Sequence, residues 1–223
     1  MLGSQTTLFD EPVLGAPSLQ RGNFSLKGFW RYPALLGSQY PAGVQLGVAY
    51  IAPQVVLELG THAEFIPRGT FVIRSFAAIE FPVFFDQPDV PVNALLAKRT
   101  FWEKATILHA EYHRAPEKPY PRRYSRHYYD MAMLARSPVK REAMMDLQLL
   151  EQVVKHKLEF YPSVWAQYAS AAPGSLRLLP PPSRIAGLKE DYRNMSLMIF
   201  GAPPSFESIL DSLAQFEQEV NSM

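Results

Sequence analysis

The chain has 223 residues with 22 Lys and Arg against 21 Asp and Glu, a formal net charge of +1, so any nucleic-acid binding must come from a local patch. Hydrophobic residues at 48% and aromatics at 13% exclude a disordered chain and allow a substantial core in one or two domains, and the absence of cysteine excludes a disulfide framework, a thiolate nucleophile and a Cys-type zinc site. No apolar run reaches the ~18–20 residues of a membrane span, and MLGSQTTLFDEP lacks the basic start and apolar core of a signal peptide, so no membrane association is expected.

Residues 1–44 are rich in Gly, Pro and Ser with scattered aromatics and carry little periodic signal. Residues 45–59 and 70–85 are dominated by Val, Ile and Phe and read as β-structure, with Pro53 and Pro82 at strand starts, edges or breaks. The segment DQPDVPV reads as an extended linker, and beyond it helical periodicity takes over. The spacing predicts helices over 99–114, 125–136, 139–161, 163–172, 184–199 and 205–221. Pro138 suits a first turn, and Pro162 closes the third helix. In that helix Met145, Leu149, Gln152, Val153 and His156 follow one face, as in a core helix. Ser205 is a good N-cap with Glu207 in the first turn, and Ile209, Leu213 and Phe216 supply the apolar face of the last helix. The chain therefore reads as α+β, with a β-rich region over 1–98 and a helical domain over 99–223.

Chemistry concentrates in RTFWEKATILHAEYHR, residues 99–114, and PRRYSRHYYDM, residues 121–131. Phe101, Ala105, Leu108 and Tyr112 form one helical stripe, and Lys104 lies about 60° from it, at the margin between core and solvent. Arg122, Arg123 and Arg126 cluster ahead of Asp130. A cationic loop beside a lysine and a carboxylate on facing helices is one way to hold a polyphosphate. The Pro-rich connection allows an antiparallel helix hairpin in which Lys104 faces the start of the second helix, whose free amides also favour phosphate. The alternative is structural: a Lys stem covering a core edge, and Arg126 with Asp130 as an ordinary i, i+4 pair. Tyr120, Arg122, Arg123, Tyr124, Arg126, His127 and Tyr128 form a basic-aromatic run suited to stacking bases, or else a solvated loop whose tyrosines pack inward.

The runs LELGTH (57–62), RTFWEKATILHAEYHR, SRHYYDM, VVKHKLEFY and PGSLRLLPPPSRIAGLKEDYRNMSLMIFGAPPSFESIL, in this order, resemble the later part of the nucleotidyltransferase AbiEii/AbiGii toxin family, over roughly residues 45–221. The resemblance implies a partial nucleotidyltransferase-like β region followed by a helical C-terminal domain. It further implies a bacterial, cytoplasmic toxin of a toxin–antitoxin or phage-defence system that transfers nucleotidyl groups from an NTP with Mg²⁺ or Mn²⁺. In some members the acceptor is tRNA, and an antitoxin protein is the implied partner. Onto this sequence it carries Lys104 as the group that neutralises NTP phosphates, Arg122, Arg123 and Arg126 as phosphate or RNA-backbone ligands, and Asp130 as the group that orients Lys104 or acts as a base. His127 stands where the family's helix often has an acidic residue.

The family's Gly-Gly-Thr/Ser turn and Asp-x-Asp strand are not found; Asp10-Glu11, and Asp86 with Asp89, lack the alternation that puts two carboxylates on one side of a strand. Two-metal transfer needs carboxylates converging on ions ~3.5–4 Å apart, which Glu58, the candidate third carboxylate and metal ligand in QVVLELG, cannot supply alone. The alternative reading of Glu58 is a solvent-facing or Arg-paired residue of a half-buried strand. The expectation is a truncated member, either a nucleotidyltransferase or a non-catalytic remnant that binds nucleotide, RNA or antitoxin. His109 and His113, at i, i+4, have zinc-site spacing without a third ligand, and His62 follows a strand end where it could meet a ligand. No Gly-x-Ser-x-Gly elbow or Walker-type loop is present.

Overall fold

The structure, a computed structural model, describes the backbone of two strands, Ala34–Gln39 (β1) and Gln54–Leu59 (β2), and residues 66–223 in full. The chain divides into two compact units, Met1–Ala63 and Glu64–Met223. In the first unit β1 and β2 pair antiparallel, with Leu35 opposite Glu58. β1 thus falls inside a stretch whose Gly- and Pro-rich sequence signals no element. The Glu58 side chain, Pro53 and His62 lie outside the described residues.

The second unit opens with an antiparallel hairpin of β3 (Arg68–Arg74) and β4 (Asp89–Leu95), in which Phe71 faces Val92 and Val72 faces Pro91. The expected linker DQPDVPV therefore contributes a strand. Pro91 is tolerated because both strands of a two-stranded sheet are edges. The expected β-run 70–85 stops at Arg74. Ser75 accepts a hydrogen bond from the Ala78 N–H (3.1 Å) and starts a short helix, α1 (Phe76–Glu80), and Pro82 then opens a 3₁₀ turn.

Seven-residue strands give way to a helical bundle built on α2 (Ala97–Tyr112), which packs against α3 (Ser125–Ala135), α4 (Val139–Met144) and α5 (Leu147–Phe160). Phe101, Ala105 and Leu108 of the predicted stripe are fully buried, and Trp102 joins them. The last helix, α7 (Phe206–Asn221), lies on α3 and sends Phe216 edge-on to Phe101, ring centres 5.0 Å apart. Such aromatic pairs contribute about 0.5–1.5 kcal/mol beyond the area they bury. Ser205 caps α7 by accepting from the Ser208 N–H (3.1 Å), and Ile209 and Leu213 are buried as the periodicity predicts.

The single helix expected over 139–161 is two. Asp146 accepts from the Leu149 N–H (3.3 Å) and so caps α5, while its carboxylate holds Lys98 of α2 at 2.7 Å. Leu149 and Val153 enter the core, whereas Met145, at the break, is 82% exposed and Gln152 is exposed too. In place of the expected 163–172 helix stand two 3₁₀ turns, Val164–Ala166 and Tyr168–Ser170, separated by Gln167 in the left-handed region (φ 49°), which a helix cannot pass through. The 184–199 prediction corresponds to α6 (Pro182–Met195) followed by a 3₁₀ turn, Ser196–Met198.

Candidate functional site

Contacts between α2 and α3 run in opposite senses: Lys104 meets His127 and Asp130, while the later Glu111 meets the earlier Tyr124. The two helices are thus the antiparallel hairpin that the connection allows. Lys104 Nζ donates to Asp130 Oδ2 at 2.6 Å, across two elements and 26 positions of sequence. Asp130 therefore pairs with Lys104, and no ion pair joins it to Arg126 among the described residues. The Lys104 side chain keeps 19% of its exposure and Asp130 keeps 40%, so the pair lies at the edge of the core with Asp130 toward solvent.

His127 completes this trio. Its Nδ1 lies 3.2 Å from Lys104 Nζ. Burial, and then the neighbouring charges of Lys104 and Arg126, push its pKa down to about 4. The neutral ring can accept from the ammonium at Nδ1, which a protonated ring could not.

Lys157 acts on His127, and Arg99 in turn acts on Lys157. Arg99, fully buried on α2, donates to Glu103 Oε1 (3.0 Å) and to the Ile66 carbonyl (2.9 Å). Lys157 of α5 is the group that sequence reasoning passed over. Its ammonium lies 4.9 Å over the Tyr161 ring and makes no hydrogen bond or ion pair among the described residues. Desolvation lowers its pKa, with Glu103 and Arg99 acting in opposite directions. The available signal was the run VVKHKLEFY, where no role was assigned to this lysine. Around His127, Lys104, Arg126 and Lys157 set three cations against the one carboxylate of Asp130. The surplus is positive and partly desolvated, which strengthens its attraction for an anion.

The arginines separate. Arg126 is exposed beside His127. Arg122 lines a groove between the 119–124 loop and α6. Arg123 holds φ 64°, and its backbone N–H donates to Asp191 Oδ1 (2.9 Å). The other Asp191 oxygen accepts from the N–H (2.9 Å) and hydroxyl (2.6 Å) of Ser125. A carboxylate of α6 thus caps α3, and the amides of Arg123, Ser125 and His127, expected to greet a phosphate there, are already bonded.

At its C-terminal end α2 presents a closed counterpart. The Glu111 carboxylate, 3% exposed, accepts two bonds from Arg114 (2.5 and 2.7 Å), whose guanidinium lies 4.5 Å over Trp165. Tyr124 and Tyr168 face it from around, their hydroxyl pKa values raised first by burial and then by the Glu111 charge. His109 is fully buried: Nε2 lies 3.1 Å from the Gln167 carbonyl, and Nδ1 accepts from the Arg177 N–H at 3.1 Å. Both of its nitrogens are thereby engaged, and burial brings its pKa down to about 4.

Among the described residues no three His, Cys, Asp or Glu side chains converge as a metal site would require. Asp130, with Lys104 bonded to it, is one carboxylate where a metal pair needs several. The described residues do not by themselves fit Mg²⁺ or Mn²⁺. They offer cationic binding and positioning.

A family model described as "Nucleotidyl transferase AbiEii toxin, Type IV TA system" matches residues 11–212. The chain belongs to this family. The match reaches closer to the N-terminus than the motifs quoted above, which begin near residue 45. No curated protein and no solved structure matches the chain. Membership makes it a nucleotidyltransferase-type toxin of a toxin–antitoxin system, for which an antitoxin is the corresponding partner. No helix among the described residues is long and apolar enough to cross a membrane.

Proposed function

We propose that the cationic cluster on α2, α3 and α5 holds the triphosphate of an NTP, and that Lys104 neutralises it during nucleotidyl transfer to an RNA acceptor of the tRNA class. The observation that carries this reading is the 2.6 Å pair of Lys104 with Asp130, partly exposed and with Arg126 and Lys157 as further cations close by. Transfer at phosphorus depends mainly on alignment and on stabilising charge, both of which a held lysine supplies. Asp130 fixes the Lys104 rotamer, and as the more exposed partner it can turn aside when phosphate arrives or take a proton from the acceptor hydroxyl. Lys157 and Arg126 add charge, and Arg122 and Arg123 extend it toward an RNA backbone.

Purified chain incubated with labelled NTPs, Mg²⁺ or Mn²⁺ and total tRNA tests the reading. Label should enter RNA with the wild type and be lost in Lys104→Ala with the cooperative fold retained; transfer indifferent to Lys104→Ala would sink it. The absence of an Asp-x-Asp pair from the sequence favours a second reading, a non-catalytic remnant. That protein would bind NTP through Lys104 and transfer nothing. Action in phage defence within the bacterial cytoplasm, restrained by direct contact with an antitoxin protein, completes the proposal. Co-purification with the product of the adjacent gene tests that contact.

A further inference from the structure

A groove of about 300 Å³ runs between the 119–124 loop and the first turns of α6, lined by Tyr120, Arg122, Tyr124, Arg184, Gly187 and Asp191 among others. This volume is at the small end of ligand sites, enough for one planar group and too little for a complete NTP. Both tyrosines are half-buried and held in place. The Tyr120 hydroxyl donates to the Glu111 carbonyl (3.0 Å), and its ring lies 4.7 Å under the Arg184 guanidinium. The Tyr124 ring stands 6.0 Å from Tyr120 and 4.8 Å from His127. Arg184 is itself fixed by the carbonyls of Ala115 and Pro116, both at 2.9 Å. Asp191 spends its oxygens on Arg123 and Ser125. Arg122, in contrast, is exposed and makes no hydrogen bond or ion pair among the described residues. One contact chain, Lys104 to His127 to Tyr124 to Tyr120, connects the groove to the candidate phosphate centre.

We propose that this groove takes a nucleobase against the Tyr120 and Tyr124 rings with its phosphate on Arg122, beside the Lys104 centre. The inference rests on the reading of Lys104 as a phosphate-binding group and adds the place where a base is seated. Preordered aromatic rings, Tyr120 with one face already covered by Arg184, next to a guanidinium with no partner among the described residues are elements of sequence-tolerant base binding. The base could belong to the NTP or to the unpaired end of an acceptor RNA; the chemistry of the groove is the same for both.

Gly187 provides a clean test, because a Cβ added there meets nothing within 4 Å and the side chain of Gly187→Leu would grow into open groove. Titrations of ATP and of a fluorescent single-stranded eight-nucleotide RNA, at low salt, are compared for wild type, Gly187→Leu, Arg122→Ala and Lys104→Ala. Loss of one stacked base is expected to weaken binding on the order of tenfold or more. Loss of RNA binding alone in Gly187→Leu and Arg122→Ala assigns the groove to the acceptor end, and loss of ATP binding assigns it to the NTP base; either supports the groove. If Lys104→Ala weakens ATP while Gly187→Leu and Arg122→Ala leave both probes unchanged, the groove is wrong and the phosphate centre stands. If Gly187→Leu weakens a probe and Lys104→Ala weakens neither, the phosphate centre is wrong and the groove stands. A wild type that binds neither probe overturns both.

Discussion

The middle of α2 and its C-terminal end solve the same problem in opposite ways. Near its C-terminus Glu111 and Arg114 form a closed, bidentate pair beneath Trp165 and among tyrosines. Near its middle Lys104 and Asp130 form a pair at the edge of the core, with the extra charges of Lys157 and Arg126 close by. The first pair has little left to offer a ligand. The second has unspent positive charge, a half-exposed carboxylate and a neutral histidine. An ion pair is therefore informative about function only when its surroundings leave charge uncompensated.

Stability should separate the two regions most sharply. Glu111→Ala strands Arg114 in a mostly buried setting and should cost about 2–4 kcal/mol, whereas Lys104→Ala should cost under about 1 kcal/mol. Urea unfolding of the two variants measures this directly, and equal losses would erase the distinction between a structural pair and a functional one.

Acid titration comes next. His109 and His127 both have folded pKa values lowered from 6.5 to about 4. Between those values the unfolded chain binds more protons, so the stability each contributes is complete above pH 6.5 and is lost as pH falls through about 4. The loss should be roughly 1–3 kcal/mol per histidine. Imidazole NMR sharpens the comparison: ATP should raise the pKa of His127, beside Lys104, and leave His109 where it is. A shift at His109 alone would place the anion at the wrong part of α2.

Much of the bundle could be read in advance, and the reasons are local. Helices α2, α3 and α7 lie within about two residues of prediction because their apolar stripes and, for α7, the Ser205 cap are written in consecutive sequence. The break before α5 escapes the periodicity because Met145, Leu149 and Val153 keep helical spacing straight across the Asp146 cap. The strand in DVPVNAL was hidden by two loop signals, Asp and Pro, at a sheet edge. In the site, the meeting of Lys104 with Asp130 follows from the helix hairpin. The cap from Asp191 does not, because it acts on Ser125 from 66 positions away. Nor does sequence spacing reveal that Lys157 is desolvated and makes no ion pair among the described residues.

That last feature predicts a trade between stability and binding. Lys157→Met should raise stability by up to about 1 kcal/mol, since a partly desolvated ammonium with no ion pair among the described residues is replaced by an apolar chain of similar length. It should weaken ATP at the same time. A variant that loses stability instead would mark Lys157 as a structural cation. The smallest expected effect is Gly187→Ala, which should stabilise α6 by about 0.5–1 kcal/mol through helix propensity, because the added methyl group meets nothing. Thermal unfolding resolves a change of that size, and a destabilised variant would show that the α6 face is packed rather than open.

The central claim is that the cluster around Lys104 is an anion site. Equilibrium titration of ATP, GTP and CTP against wild type, Lys104→Ala and Arg126→Ala at low salt tests it most directly. Binding should be measurable, should weaken as salt screens the cations over ~8 Å, and should fall in both variants, more in Lys104→Ala. No binding at low salt, or binding unchanged by both substitutions, would contradict it and leave these residues as structural parts of the helix hairpin.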